Sequence, residues 1–286
     1  MSLYETVRDA LRAEDPVAMA TVVEVVPREE WEFPDDPGVA LGAKLVVRPG
    51  HPRQGSLGHE GLDTVVARDA LGALESGLSD TRHYGRRGQA RRREVSVFVE
   101  AFAPPPQMVI FGAVDFTAAL AKVAKILGYR VTVCDARPVF ATPARFPMAD
   151  EVVVDWPDRH LAKVGPDLGP RDAVCVLTHD PKFDVPAIVA ALPTRVGYLG
   201  AMGSRRTNAD RLARLKEAGV DEAALERLMA PVGLDIGART PEETAISICA
   251  EIIALRVGSG SRSEVPSLRD RGGPIHRDGR GEPGPD

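Results

Sequence analysis

The sequence predicts an α/β protein in two domains, a smaller N-terminal α+β domain followed by a larger one built on a parallel sheet. Three observations carry that expectation. The chain has 286 residues, room for about two domains at roughly 150 residues each. Pro104-Pro105-Pro106 interrupts the pattern, and consecutive prolines favour a stiff, extended connector. Beyond it, short continuous apolar runs alternate with helical stretches, as in strands buried on both faces of a parallel sheet. The expected divisions are a small domain over residues 1–103, a linker over 104–107, the parallel-sheet domain over 108–257 and a tail over 258–286.

In the small domain, Leu3, Val7 and Leu11 stand at helical spacing within residues 1–13. Residues 18–26 and 42–47 are β-rich, and residues 94–102 alternate Val95, Val97 and Val99 as a third strand. Residues 62–78 read as a helix. Residues 27–42 hold Pro27, Pro34, Pro37 and Gly38 among five acidic residues, which is the composition of a loop. The basic stretch 82–93, with Tyr84 its single aromatic, reads as a solvated loop, not a nucleic-acid site.

Composition bounds the function. Apolar residues make up 44% and charged residues 27%, ordinary values for a soluble globular protein. A chain of this length buries enough apolar surface without disulfides or a structural metal. The net charge of −5 argues against a general nucleic-acid binder, which is normally basic. No early apolar stretch follows a basic start, and no run reaches the ~18 apolar residues of a spanning helix. No membrane association is therefore expected, and the cytoplasm is the expected location. Cys134, Cys175 and Cys249 sit in apolar runs without CxxC or zinc-site spacing, so they read as buried free thiols.

In the larger domain, strands are expected over 108–112, 130–135, 151–154, 173–178 and 195–199. Helices are expected near 115–127, 186–192, 204–218, 222–229 and 241–257. Ile246, Cys249 and Ile253 should form the buried face of the last helix. Residues 258–286 are rich in Gly, Pro, Arg and Asp and should be disordered.

The stretch from Met108 to Leu120 is strand, glycine turn, helix, the opening of a Rossmann-like unit. Gly128 fits the helix C-terminus, where glycine adopts a left-handed conformation cheaply. Asp135 ends the next strand 23 residues after Gly112, near the ~20 expected for a ribose contact. The G-x-G-x-x-G pattern is incomplete, because Val114 and Thr117 occupy its later glycine positions. Val114 puts a branched side chain where phosphates would sit, and Asp115 adds a negative charge at a helix N-terminus. Both a pyrophosphate site and a Rossmann scaffold with a closed first turn remain open.

Three further loops follow strand ends, where open α/β sheets bind ligands. Thr178, His179, Asp180 and Asp184 put a hydroxyl, an imidazole and two carboxylates after one apolar strand. Such a cluster suits a polar ligand, or equally a turn with a capping aspartate. In Gly200-Ala-Met-Gly203-Ser204-Arg205-Arg206-Thr207, glycine permits close approach, helix N–H groups point outward and two guanidiniums offer bidentate phosphate contacts. Cations at a helix N-terminus oppose its dipole, so an anionic partner would explain them; exposed arginines paired with acidic neighbours are the alternative. In the third loop, Thr240, Pro241 and Glu243 form a capping box with proline at the first helical position. Asp235 and Arg239 precede that cap on a glycine-rich loop and can face the ligand crevice.

The segments Thr178-His-Asp-Pro-Lys-Phe-Asp184, Tyr198-Leu-Gly-Ala-Met-Gly-Ser-Arg-Arg-Thr207 and Ala230-Pro-Val-Gly-Leu-Asp-Ile-Gly-Ala-Arg-Thr-Pro-Glu-Glu243 resemble the C-terminal Rossmann domain of the XdhC/CoxI family. Arg145-Phe146-Pro147, after Asp135-Ala-Arg137, fits as well. The likeness runs over residues 108–255. The N-terminal half is more faintly similar, through Ala20-Thr-Val-Val23 and Gly55-Ser56. The resemblance implies an accessory protein, a maturation factor more than an enzyme. It would bind molybdenum cofactor, as molybdopterin or in a dinucleotide form, and support its sulfuration and insertion into a molybdenum hydroxylase. The implied partners are the molybdenum hydroxylase, a cysteine desulfurase and a second copy of the chain. The cofactor-binding residues expected are Gly112, Asp135 and Arg137; Thr178, His179 and Asp180; Gly200, Gly203, Ser204, Arg205 and Arg206; and Asp235 with Arg239. No catalytic or metal-ligating residue is expected.

Two departures from the family pattern stand out. Gly61 falls where a Gly-Gly-Cys element would place its cysteine, and the first turn reads Gly112-Ala-Val-Asp115 in place of Gly-Ala-Gly-His. They keep two other readings in play: an NAD(P)-dependent oxidoreductase, and a non-catalytic scaffold that binds only partners.

Overall fold

The computed structural model describes residues 2–26, 38–90, 92–256 and 267–270. The chain divides into two compact units, Met1–Pro104 and Pro105–Asp286.

The first unit is α+β. Helix α1 (Leu3–Arg12) starts at a capping box in which Ser2 and Glu5 satisfy each other's amides. Strands β1 (Val17–Val25), β2 (Lys44–Val47), β3 (Gln54–Ser56), β4 (Asp80–Tyr84) and β5 (Val95–Phe102) form an antiparallel sheet in the order β3-β2-β1-β5-β4. Period-two alternation sorts the side chains. Ala18, Ala20, Leu45, Val47, Val95, Val97 and Val99 pack beneath helix α2 (Glu60–Ser76), while Val17 and Val46 join Ala10 of α1 on the other face. Part of the expected basic loop is strand β4, an edge strand whose Asp80, Thr81 and His83 are exposed. Edge strands are commonly blunted with polar side chains in this way, which hid it from the apolar pattern. Residues 27–37 of the expected acidic loop lie outside the described residues.

The second unit is a Rossmann-like domain with six parallel strands: β6 (Gln107–Phe111), β7 (Arg130–Cys134), β8 (Glu151–Val153), β9 (Ala173–Val176), β10 (Tyr198–Ala201) and β11 (Leu228–Met229). Their order is β11-β10-β9-β6-β7-β8. The winding reverses between β6 and β9, so their carboxyl ends flank the crevice where doubly wound sheets bind ligands. Helices α3 (Asp115–Ile126) and α8 (Pro241–Arg256) cover one face, burying Met108, Ile110, Leu120, Val131, Ile248, Cys249 and Ile252. Helices α4 (Pro157–Val164), α5 (Pro181–Ala191) and α6 (Arg205–Glu217) cover the other with Leu161, Ala187, Ile188 and Leu215 against Val109, Phe111, Val174 and Val176. A short helix α7 (Glu222–Leu225) precedes β11. Gly128 closes α3 at φ +80°.

Several expectations need correction. Helix α4 lies in a stretch for which no element was expected. Helix α5 begins at Pro181, five residues earlier than expected, because Asp180 accepts a hydrogen bond from the Lys182 amide and Pro181 fits the first helical position. Pro186 is accommodated inside it. The helix expected over 222–229 ends at Leu225, and Leu228–Met229 instead extend the sheet beside β10. On α8, Cys249 is buried but Ile246 and Ile253 are 52% and 45% exposed. The helix is apolar around most of its circumference, so periodicity did not single out the core face, which carries Ala245, Ile248, Cys249 and Ile252. The structureless tail is corrected over residues 267–270: Ser267 bridges to Leu234, and Leu268–Asp270 form a 3-10 turn. The rest of that tail, and residue 257 of the expected last helix, lie outside the described residues. No helix among the described residues is long and apolar enough to cross a membrane.

Candidate functional site

All the candidate residues belong to the second unit. A cavity of about 680 Å³ opens at the carboxyl edge of the sheet. Its polar lining is Gly203, Ser204, Arg205 and Arg206 at the start of α6, His179 after β9, and Asp235 and Arg239 before α8. Its apolar lining is Phe116, Met202, Pro231, Val232, Leu234 and Leu268. The polar residues joined here come from loops up to sixty positions apart in sequence, brought together because β9, β10 and β11 are parallel neighbours.

The opening of α6 gathers positive charge. Ser204 caps the helix, its Oγ accepting from the Thr207 amide at 3.1 Å. First-turn amides of a helix have no intrahelical acceptor and carry the positive end of its dipole. Arg206 is exposed and Arg205 half-buried, with Arg205 Nη1 donating to the Leu268 carbonyl at 3.0 Å. The first turn of α6 holds no acidic residue, so the positive ends add up. At the start of α8, the expected capping box is present: Glu243 accepts from the Arg239 and Thr240 amides, and Thr240 accepts from the Glu243 amide. These bonds hold the Glu243 carboxyl below the ordinary range.

Seven of the thirteen expected residues therefore line one cavity: His179, Gly203, Ser204, Arg205, Arg206, Asp235 and Arg239. Gly112, Asp135, Arg137, Thr178, Asp180 and Gly200 are not among its lining residues. Gly200 lies within β10, where an added Cβ would come 2.6 Å from Val232 Cγ2. Asp180 caps α5 and pairs with Lys182 at 3.3 Å. Thr178 is buried, its hydroxyl donating to Asp184.

The first turn is closed. Gly112 has φ +108°, and a Cβ there would lie 2.8 Å from Thr178 Cγ2, so only glycine fits. Asp135, expected to contact a ribose, is instead consumed within the protein. Its Oδ2 accepts from the Ala113 amide at 2.8 Å and from Arg137 Nη2 at 2.8 Å, and its Oδ1 accepts from the Arg137 amide and Nε, both at 2.9 Å. Burial pushes this carboxyl up, but the hydrogen bonds from Arg137 and Ala113 outweigh it and leave the pKa below the ordinary 3.8. Arg145 donates to the Ala113 and Phe140 carbonyls at 3.1 Å and stands 3.7 Å from Asp115. The Ala113 amide a pyrophosphate would use is thus taken by Asp135, and the carboxylate a ribose would use is taken by Arg137.

Sequence reasoning missed three contributors. Arg211 of α6 forms a buried pair with Asp184, Glu251 of α8 gathers buried donors, and Leu268 supplies part of the apolar wall. Each depends on a partner distant in sequence, so no local motif announces it. Among the described residues, no group of three or more His, Cys, Asp or Glu could hold a metal ion.

Residues 108–252 match the family model described as the XdhC Rossmann domain. The chain belongs to the XdhC family. Among curated XdhC relatives, it is 34% identical over 161 residues to a probable xanthine dehydrogenase component of Bacillus subtilis, a match covering 56% of this chain and 46% of that protein. It is 29% identical over 169 residues to the molybdenum cofactor insertion chaperone PaoD of Escherichia coli, covering 59% and 46%. It is also 30% identical over 227 residues to the uncharacterized YqeB of Escherichia coli, covering 75% and 40%. The chain spans less than half the length of these relatives in each match. Among solved structures, a xanthine dehydrogenase of Bacillus halodurans superposes with a TM-score of 0.49 at 22% identity, over 92% of this chain and 98% of that one.

The XdhC departure at Gly61 has a steric side. A Cβ there would come 2.6 Å from the Arg87 carbonyl oxygen, so a cysteine has no room on this backbone. The chain's three cysteines, Cys134, Cys175 and Cys249, are all buried. Burial pushes the Cys134 thiol up to about 12 and Cys175 well above its ordinary value, which keeps both as inert thiols.

Proposed function

We propose that this chain binds molybdenum cofactor in the α6 cavity and hands it to a molybdenum hydroxylase. One observation carries the proposal: a single cavity is lined both by the start of α6 with Arg205, Arg206 and Arg239 and by the apolar side chains of Phe116, Met202, Val232 and Leu234. Guanidiniums and helix amides suit a phosphate, and the apolar wall suits the flat ring of a phosphorylated pterin. The residues present fit the cofactor by that chemistry, as molybdopterin or with an attached nucleotide. The PaoD relative is named for insertion of this cofactor and the Bacillus subtilis relative for xanthine dehydrogenase, which supports the same role here.

In this role the cofactor is cargo. The chain's residues bind its phosphate, cover its ring and keep it from water until the hydroxylase takes it. Sulfuration would draw its sulfur from a cysteine desulfurase, because Gly61 and the three buried cysteines offer no accessible thiol. A second copy of the chain is a further partner, for which the exposed Ile246 and Ile253 of α8 supply apolar surface. The cytoplasm is the proposed location. The closed first turn gives no support to an NAD(P)-dependent reductase.

Reconstitution tests the proposal. Cofactor-free hydroxylase is mixed with molybdenum cofactor with and without the purified chain, and activity is followed. The chain should raise the yield of active hydroxylase, and Arg206→Ala should remove most of that gain. Equal yields with and without the chain would refute delivery.

A further inference from the structure

The apolar wall of the cavity is completed by a segment far from the rest of the site in sequence. Leu268 lines the cavity, although residues 257–266 separate its segment from α8. The segment is held at each of its first three residues. Ser267 pairs with Leu234 as a β-bridge and its hydroxyl donates to the Glu251 carboxylate. The Leu268 amide donates to the Gly233 carbonyl at 2.9 Å, and its carbonyl accepts from Arg205 Nη1 at 3.0 Å. Arg269 Nη1 donates to the Glu226 carbonyl at 2.9 Å.

These anchors reach both sides of the site. Glu251 is 1% exposed, and its carboxylate also accepts from Tyr198 Oη at 2.6 Å and from the Gly233 amide at 2.9 Å. Tyr198 opens β10, whose far end leads to α6, and Gly233 sits in the loop that supplies Val232, Leu234 and Asp235 to the cavity. Arg205, held by the Leu268 carbonyl, is one of the cavity's cations. Burial of Leu268 and the hydrogen bonds at Ser267, Leu268 and Arg269 together oppose the ordering of four residues, and the two sides are of comparable size. A ligand that touches Leu268 and Arg205 then tips the balance.

We propose that Ser267–Asp270 is a detachable strap of the binding site, whose docking and ligand binding strengthen each other. Docked, the strap covers the ligand's apolar body through Leu268 and aims Arg205. Detached, it removes Leu268 from the apolar wall, leaves the Glu251 carboxylate short of a donor and opens the cavity for transfer. The proposal rests on the ligand-site reading above, and the test separates the two.

The probe is 8-anilinonaphthalene-1-sulfonate, an aromatic body with one anionic group, matched to the cavity's chemistry whatever its natural ligand. Its affinity is measured for the full chain and for Ser267→Ala, whose altered side chain does not line the cavity. Exchange of the Leu268 amide with deuterium is followed by NMR with and without probe. Coupling predicts that Ser267→Ala weakens the probe about tenfold. Saturating probe should slow Leu268 amide exchange by a similar factor, because coupling is reciprocal. Leu268→Ala serves as the second variant if Ser267→Ala disturbs the far-UV circular dichroism. Unchanged affinity in the variant, unchanged exchange at Leu268, or no saturable binding by the full chain would overturn the strap. If the probe behaves as predicted but molybdenum cofactor does not displace it, the cofactor reading fails and the strap stands.

Discussion

Arg211 Nη2 lies 2.9 Å from Asp184 Oδ2, and their side chains are only 2% and 4% exposed. The same guanidinium donates to the Met202 carbonyl at 2.7 Å, and Asp184 also accepts from Thr178. One buried pair thus ties α5, α6 and the turn after β10 that feeds the cavity. Burial raises the Asp184 pKa above its ordinary value even though Arg211 pulls it down. Removing one partner strands a buried charge, so Arg211→Met should lower the free energy of unfolding by about 3–5 kcal/mol. Arg211→Met combined with Asp184→Leu should cost less than the single change. Urea unfolding checks both. A loss under about 1 kcal/mol for the single variant would mean that the pair does not hold these helices.

Asp135 gives the chain a pH signature. Its folded pKa lies below the ordinary 3.8, so its ionised form is favoured in the folded state. The stability it contributes is full above the unfolded value and is lost as pH falls through the folded value. Asp135→Asn should therefore destabilise the protein at pH 7 by about 1–3 kcal/mol. The gap to the native chain should shrink below about pH 4. Unfolding measured from pH 7 to pH 3 reads this directly; a gap that stays constant would place the effect in packing and not in charge.

Gly61 tests whether the missing thiol reflects closed space. It lies in the first turn of α2, where alanine is the better helix former. The Arg87 carbonyl, 2.6 Å from the added Cβ, opposes that preference. Gly61→Ala should cost about 1–3 kcal/mol, and Gly61→Cys no less, seen as a lowered thermal midpoint. A neutral or stabilised variant would show that the backbone gives way and that a cysteine could be restored.

Much of this arrangement can be read from the residues alone, for identifiable reasons. Apolar strands separated by helices announced the parallel sheet, because both of its faces are buried. Thr240 announced its helix because caps are local chemistry. Arg205 and Arg206 stood out as a candidate anion site because cations at a helix start are out of place unless something negative answers them. What escaped was non-local or polar. Asp135 looked like a ribose ligand from spacing, yet Arg137, two residues on, folds back to take it. Strand β4 is an exposed edge without an apolar signature. Helix α8 is apolar nearly all round, so Ile246 and Ile253 could not be told from core. Leu268 lies in a stretch whose composition reads as tail, and only its contacts with Gly233 and Arg205 reveal its place.

The most direct measurement is equilibrium binding of molybdenum cofactor to the purified chain, compared with Arg206→Ala. Arg206 is exposed at the start of α6, so its loss should move stability by no more than about 0.5 kcal/mol. If the cavity holds the cofactor's phosphate, the dissociation constant should rise at least about tenfold in the variant, with the unfolding midpoint unchanged. Equal affinity in the two proteins, or no saturable binding by the native chain, would contradict the assignment.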